Sequence, residues 1–160
     1  IGSRGSVIPY FGNLIKKNKP LTVTDERMTR FFMSLEEALD LILYAFIKGE
    51  NGSIYVKKCS SARIIDIAKS MKKMFKSKVP IKFIGLRHGE KLHETLISSN
   101  EILRANSQNK FFEIPPNTRD LNYDSFFSKG KKVLNRNSYT SNDNKPLNVD
   151  GIIKVLKKLL

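Results

Sequence analysis

Segments with helical apolar spacing alternate with short extended segments along most of this chain, and that alternation restricts it to an α/β architecture. In residues 7–18 the apolar side chains Ile8, Phe11, Leu14 and Ile15 recur at helical spacing, with Pro9 tolerated in the first turn. Leu21–Asp25 and Met28–Met33 read as two extended segments around an Asp25-Glu26-Arg27 turn. Ser34 followed by Glu37 has the form of a capping box, which predicts a helix with Ala38, Leu41, Ile42, Ala45 and Phe46 facing inward and Gly49 and Gly52 closing it. A strand over Ser53–Lys57 and a helix over Ser61–Lys76 follow, the latter with Ile64, Ile67, Ala68, Met71 and Phe75 inward. Ile81–Gly85 is the next strand, and Leu92, Leu96 and Ile97 continue as a helical pattern. Lys110–Ile114 is a short extended piece before Pro115-Pro116, and a final helix is expected over 148–160 with Asn148 or Asp150 as its cap. There are no internal repeats.

The 160 residues, 40% of them apolar, suffice for a core. Twenty-nine Lys+Arg against 15 Asp+Glu leave a net charge of +14, a balance that ordinarily raises a polyanionic partner. No run of Lys or Arg exceeds two and no recognition module is legible, so nucleic acid is not the expected partner. The single Cys59 excludes an internal disulfide and a cysteine-based zinc cage, and with it goes the expectation of a reducing, cytoplasmic setting and no metal. The apolar stretch near Leu39 to Ile47 contains Asp40 and is far short of the roughly 20 residues of a membrane span, so none is expected. No secretory signal opens the chain, which begins with Ile1 and a Gly/Ser loop, and its natural start is expected upstream.

The arginines carry the most specific chemistry. Arg4 lies between glycines in Gly2-Ser3-Arg4-Gly5-Ser6, just before a helix start, where exposed N–H groups and the helix dipole favour an anion. A capped helix with a solvated Arg is the plainer alternative. Strand alternation sets Arg30 opposite Thr29 and Phe31, so its side chain could reach from a sheet edge to a ligand. Arg87 is expected at a strand end, with Gly89 and Glu90 at the mouth of the next helix, where open α/β sheets bind ligands. A guanidinium there suits two phosphate oxygens and the carboxylate suits sugar hydroxyls, although a surface ion pair would also explain the pattern. Tyr44 and Lys48 match a Tyr-x-x-x-Lys spacing, but Tyr44 lies inside an amphipathic helix that packing already explains. His88 and His93 lack the spacing of same-face metal ligands, and Cys59 has no nucleophile arrangement.

Six blocks in order carry a family likeness: Gly2–Pro9, Pro20–Asp25, Arg27–Phe31, Met33–Ala38, Arg87–Leu96 and Asn117–Tyr123. Together they resemble the UDP-N-acetylglucosamine 4,6-dehydratase/5-epimerase branch of the extended short-chain dehydrogenase/reductase superfamily, which serves capsule and O-antigen polysaccharide biosynthesis. The resemblance implies the C-terminal part of an NAD(P)-binding Rossmann fold with its small α/β substrate domain. Residues 1–100 would be the end of the Rossmann unit interleaved with the nucleotide-sugar subdomain, and residues 101–160 the C-terminal region. It also implies hydride removal from sugar C4, loss of water across C5 and C6, return of hydride to C6 and inversion at C5. The dinucleotide fingerprint and catalytic Tyr-x-x-x-Lys would precede Ile1, leaving this half inactive alone; the full-length enzyme would be a homo-oligomer.

Residue by residue, the resemblance places Ser3, Arg4 and Ser6 by the cofactor and sugar, Val7 and Pro9 beside the nucleotide, and Thr22 and Thr24 near the uridine. Arg30 and Arg87 would clamp the diphosphate and Glu90 would bind the ribose. His93 and Arg119 belong to matching blocks without an assigned role. Two alternatives stay open: a UDP-glucose 4-epimerase-like or retaining dehydratase of the same superfamily, and a non-catalytic basic module for nucleic acid or acidic polysaccharide.

Overall fold

The computed structural model describes residues 1–3, 5–116 and 137–158. The elements run α1 (Val7–Lys16), β1 (Leu21–Val23), β2 (Thr29–Phe32), α2 (Leu35–Lys48), β3 (Ile54–Lys57), β4 (Ser60–Arg63), α3 (Ile64–Met74), β5 (Ile81–Phe83), β6 (Thr95–Ile97), α4 (Ser99–Ile102), β7 (Asn106–Ser107), β8 (Phe111–Ile114), β9 (Tyr139–Thr140) and α5 (Val149–Leu156). The chain is thus mixed α/β. It divides into two compact units, each discontinuous in sequence: Ile1–Glu36 with Cys59–Glu94 and Thr140–Leu160, and Glu37–Lys58 with Thr95–Tyr139.

In the first unit β1 pairs in parallel with β5, Leu21 opposite Ile81 and Val23 opposite Phe83. Alternation buries Leu21 and Val23 completely and leaves Thr22 half-buried on the other face. β2 pairs antiparallel with β4, Arg30 opposite Ala62. The two extended segments flanking Asp25–Arg27 therefore do not pair with each other, because each finds its partner far along the chain. Phe11 of α1, Ile67 and Met71 of α3, and Ile152 and Leu156 of α5 close one core over the strands.

Helix α3 begins three residues later than its periodicity predicts, because Ser60–Arg63 are taken into the ladder as β4. Ile64, Ile67, Ala68 and Met71 are buried as expected, whereas Phe75 is 43% exposed. Phe75 is the C-cap, with φ −88° and ψ 5°, so its side chain leaves the inward stripe. Asn148 caps α5, its Oδ1 accepting from the Gly151 N–H at 2.8 Å, and Lys73 pairs with Asp150 across α3 and α5 at 2.8 Å. The helical pattern expected through Leu92, Leu96 and Ile97 is absent; that stretch holds a bend at Leu92 and His93 and then β6.

In the second unit β8 is central, pairing antiparallel with β3 (Tyr55 opposite Glu113) and with β7 (Ser107 opposite Phe112). A capping box also starts α4, with Ser98 as N-cap: the Glu101 N–H donates to Ser98 Oγ at 3.4 Å and the Ser98 N–H to Glu101 Oε2 at 2.9 Å. Helix α2 has no buried residue, and the inward face expected for it is overturned at Phe46, 89% exposed, and Ile42, 61% exposed. Among the described residues nothing covers those side chains. Tyr44 instead stacks on Phe111 at 4.4 Å between ring centroids, and its hydroxyl donates to Gln108 Oε1.

Candidate functional site

Two tight turns and a helix start build the site in the first unit. Ser3–Ser6 close one turn, the Ser6 N–H donating to the Ser3 carbonyl at 3.0 Å, and Arg87–Glu90 close the other, the Glu90 N–H donating to the Arg87 carbonyl at 3.0 Å. Their third positions, Gly5 at φ +80° and Gly89 at φ +78°, lie in the left-handed region that favours glycine. A Cβ at either would meet no atom within 4 Å, so the requirement comes from backbone angle and not from crowding.

Ser6 is the N-cap of α1, yet its Oγ makes no capping bond and is a buried oxygen without a partner among the described residues. The cause is local: a cap hydroxyl accepts from the second or third helical N–H, and the third residue here is Pro9, which has none. An orphaned hydroxyl beside the positive end of a helix is suited to a polar or anionic ligand group.

From the opposite wall, Thr22 of β1 and Thr24 just beyond it project beside α1. Tyr10 and Thr22 share a hydrogen bond of 2.9 Å between their hydroxyls. The Thr24 hydroxyl donates to Glu90 Oε1 at 3.3 Å, and Glu90 Oε2 accepts from the Arg87 N–H at 3.3 Å. The Glu90 carboxylate is thereby held from both sides. Nearby, Arg27 donates to Asp25 at 2.8 Å and, chiefly through that bond, lowers the Asp25 carboxyl from 3.8 to about 2.

The two arginines differ. Arg87 is exposed and forms no ion pair among the described residues. Arg30 is engaged: Nη1 donates to the carbonyls of Thr29 at 2.7 Å and Leu92 at 3.2 Å, Nη2 donates to the Lys91 carbonyl at 2.9 Å, and Nε pairs with Glu94 at 3.3 Å. Of the five guanidinium hydrogens, one on Nη2 is left for a ligand.

These groups surround one cavity of about 700 Å³, within the size range of small-molecule sites. The expected site residues Ser3, Ser6, Val7, Thr22, Thr24, Arg30, Arg87 and Glu90 all line it. Pro9 does not; it lines a different, mainly apolar cavity with Gly12, Met71 and Leu156. Arg4 and Arg119 lie outside the described residues. The expected placement of Arg87 is corrected in one respect: β5 ends at Phe83 and no helix starts at Glu90, so Arg87 and Glu90 sit on an irregular segment. Tyr10 also lines the cavity and was missed. The signal was present, since Tyr10 falls three residues after Val7 and so shares its helix face, whereas Pro9 does not. Among the described residues no group of three or more His, Cys, Asp or Glu could hold a metal ion, and no helix is long and apolar enough to cross a membrane.

Residues 1–116 match the family described as polysaccharide biosynthesis protein, and residues 117–160 match the family of its C-terminal region. A UDP-glucose 4-epimerase of Rickettsia bellii (strain OSU 85-389) is 46% identical over 160 residues, covering 99% of this chain and 47% of the relative. The UDP-glucose 4-epimerase of Rickettsia akari (strain Hartford) is likewise 46% identical with the same coverage. The X-ray structure of Pen from Bacillus thuringiensis is similar with a TM-score of 0.78 and 31% identity, over 99% of this chain and 46% of that one. The chain spans about half the length of the curated relatives it matches.

Proposed function

The chain belongs to the polysaccharide biosynthesis protein family, and on that premise we propose that its first unit holds the UDP-sugar substrate of an NAD(P)-dependent nucleotide-sugar enzyme of the extended short-chain dehydrogenase/reductase type. The observation that carries this reading is the gathering of Arg87, Glu90, Thr22, Thr24 and the α1 start around one cavity. Arg87 and the remaining Nη2 hydrogen of Arg30 bind the diphosphate, in bonds that are charge-assisted and correspondingly strong. Glu90, already fixed by Thr24 and the Arg87 N–H, accepts from ribose hydroxyls. Thr22 and Thr24 lie beside the uridine and Val7 beside the nucleotide. Pro9, from the neighbouring cavity, acts only by shaping the helix start.

The cofactor is NAD(P), whose nicotinamide supplies reversible hydride transfer at the sugar ring. Ser3 and the unpartnered Ser6 hydroxyl are the groups of this chain that fit its approach, together with the first N–H groups of α1. The remaining cofactor contacts and the catalytic Tyr-x-x-x-Lys belong to a preceding half, and the whole enzyme works as a cytoplasmic homo-oligomer.

Two reactions compete. The Arg87–Leu92 and Asn117–Tyr123 blocks favour UDP-N-acetylglucosamine 4,6-dehydration with C5 inversion, for capsule or O-antigen sugars. The names of the 46%-identical relatives favour UDP-glucose 4-epimerisation. Calorimetric titration with UDP tests the site: saturable binding is expected, and none would remove the UDP-sugar reading. Incubating UDP-N-acetylglucosamine or UDP-glucose with NADP or NAD and this chain joined to its preceding half then separates the reactions. Dehydration yields a product lighter by one water, whereas 4-epimerisation leaves the mass unchanged.

A further inference from the structure

The segment that presents Arg87 and Glu90 has no regular secondary structure of its own, so something else must hold it. From Lys91 to Glu94 that hold is explicit. The Lys91 carbonyl accepts from Arg30, and the Leu92 carbonyl accepts from Arg30 and from the Thr29 N–H at 3.1 Å. His93 Nδ1 lies 2.7 Å from Thr29 Oγ1, which in turn lies 2.7 Å from Ser141 Oγ. Ser141 grips Glu94 by both backbone groups: its N–H donates to the Glu94 carbonyl at 2.8 Å and its Oγ accepts from the Glu94 N–H at 3.0 Å.

Ser141 is fully buried and Thr29 nearly so, at 2% exposure. Buried hydroxyls in a closed chain of hydrogen bonds have few alternative arrangements, and each lost partner leaves a costly unpaired group. The protons can be placed consistently. The Glu94 N–H donates to Ser141 Oγ, the Ser141 hydroxyl donates to Thr29 Oγ1 at 2.7 Å, and the Thr29 hydroxyl donates to His93 Nδ1 when that nitrogen carries no hydrogen. Ser141 also belongs to the residues matched by the C-terminal family, 117–160, while the cavity lies wholly within the residues matched by the first.

We propose that Thr29, His93 and Ser141 form a positioning cluster for the UDP-sugar site, through which the C-terminal region sets the conformation of the Arg87–Glu90 turn. The inference rests on the reading of the cavity as a UDP-sugar site. None of the three touches the ligand: Thr29, His93 and Ser141 are absent from the cavity lining. They act through residues 91–94 on the turn immediately before them.

The test is a double-mutant cycle on UDP affinity, measured by calorimetry well below the melting temperature. His93→Ala and Ser141→Ala are each expected to weaken UDP binding by about fivefold when Arg87 is present, and by less than about twofold in an Arg87→Ala background. His93→Asn, whose side-chain oxygen can take the place of Nδ1 towards Thr29, is expected to restore most of the loss. Equal losses in the two backgrounds, or no loss, would overturn the proposal, because a generally weakened fold does not act through Arg87. Amide hydrogen exchange decides the matter without a ligand. His93→Ala should accelerate exchange at the Glu90 amide while leaving that of Leu21 in β1 unchanged. An unaltered Glu90 amide overturns the positioning role. If unmodified protein binds no UDP, the substrate reading fails by itself and hydrogen exchange still judges the cluster.

Discussion

Thr24 and Glu90, 66 residues apart in sequence, are joined by a 3.3 Å hydrogen bond in which the threonine hydroxyl donates to the carboxylate. The bond ties the loop after β1 to the turn after β5, and it aims a carboxylate whose other oxygen is held by the Arg87 N–H. Removing the donor alone should therefore loosen the aim while leaving the charge. Thr24→Val is expected to weaken UDP binding by about 0.5–1.5 kcal/mol, the net range of a typical hydrogen bond, because the loss reaches the ligand only through the aim of Glu90. Titration calorimetry reads it; a change as large as that of Glu90→Ala would mean that Thr24 contacts the ligand directly.

Arg87→Ala should cost about 1.5–3 kcal/mol of UDP affinity, the range for a hydrogen bond to a charged group. Its side chain enters no ion pair among the described residues, so little of that loss should appear as lost stability. Calorimetry and thermal melting on the same sample separate the two, and unchanged affinity would remove Arg87 from the site.

Gly89→Ala and Gly12→Ala should act in opposite directions. Gly89 holds φ +78°, where a side chain costs about 1–2 kcal/mol. Gly12 lies inside α1, and an added Cβ would meet Met71 Cε at 3.8 Å, an ordinary contact. There Ala should stabilise by about 0.5–1 kcal/mol. Denaturant titration checks both signs.

Phe11→Ala should destabilise by about 3–5 kcal/mol, because Phe11 is fully buried in the core that fixes α1. UDP binding should fall in parallel with the folded fraction, since the same helix presents Ser6 and Tyr10 to the cavity. Denaturation followed alongside UDP titration would reveal any divergence.

Asp25 has a carboxyl lowered to about 2 by Arg27. A folded-state value below the unfolded one contributes stability above about pH 4, and that contribution disappears as pH falls through about 2. The pair is exposed and screened, so the effect is small. Melting temperatures of the parent and Asp25→Asn should differ at pH 6 and converge below pH 2; a constant gap would show that the pairing is not the cause.

By itself the sequence determined the α/β class, the helices α1, α3 and α5, two cap candidates for α5 and most of the polar groups that line the cavity. Those properties are written locally, in apolar spacing, cap residues and motifs carried by short contiguous blocks. Tertiary structure alone decided the rest. Ser60–Arg63 became a strand because Thr29–Phe32 pair with them, and Leu92–Ile97 lost their helical pattern to carbonyl capture by Arg30 and the grip of Ser141 on Glu94. Phe46 of α2 satisfies a helical stripe in sequence, yet no described residue covers it. Helical spacing reports which residues share a face, but whether that face is covered, and which distant hydroxyl or guanidinium claims a backbone carbonyl, depends on groups tens of residues away.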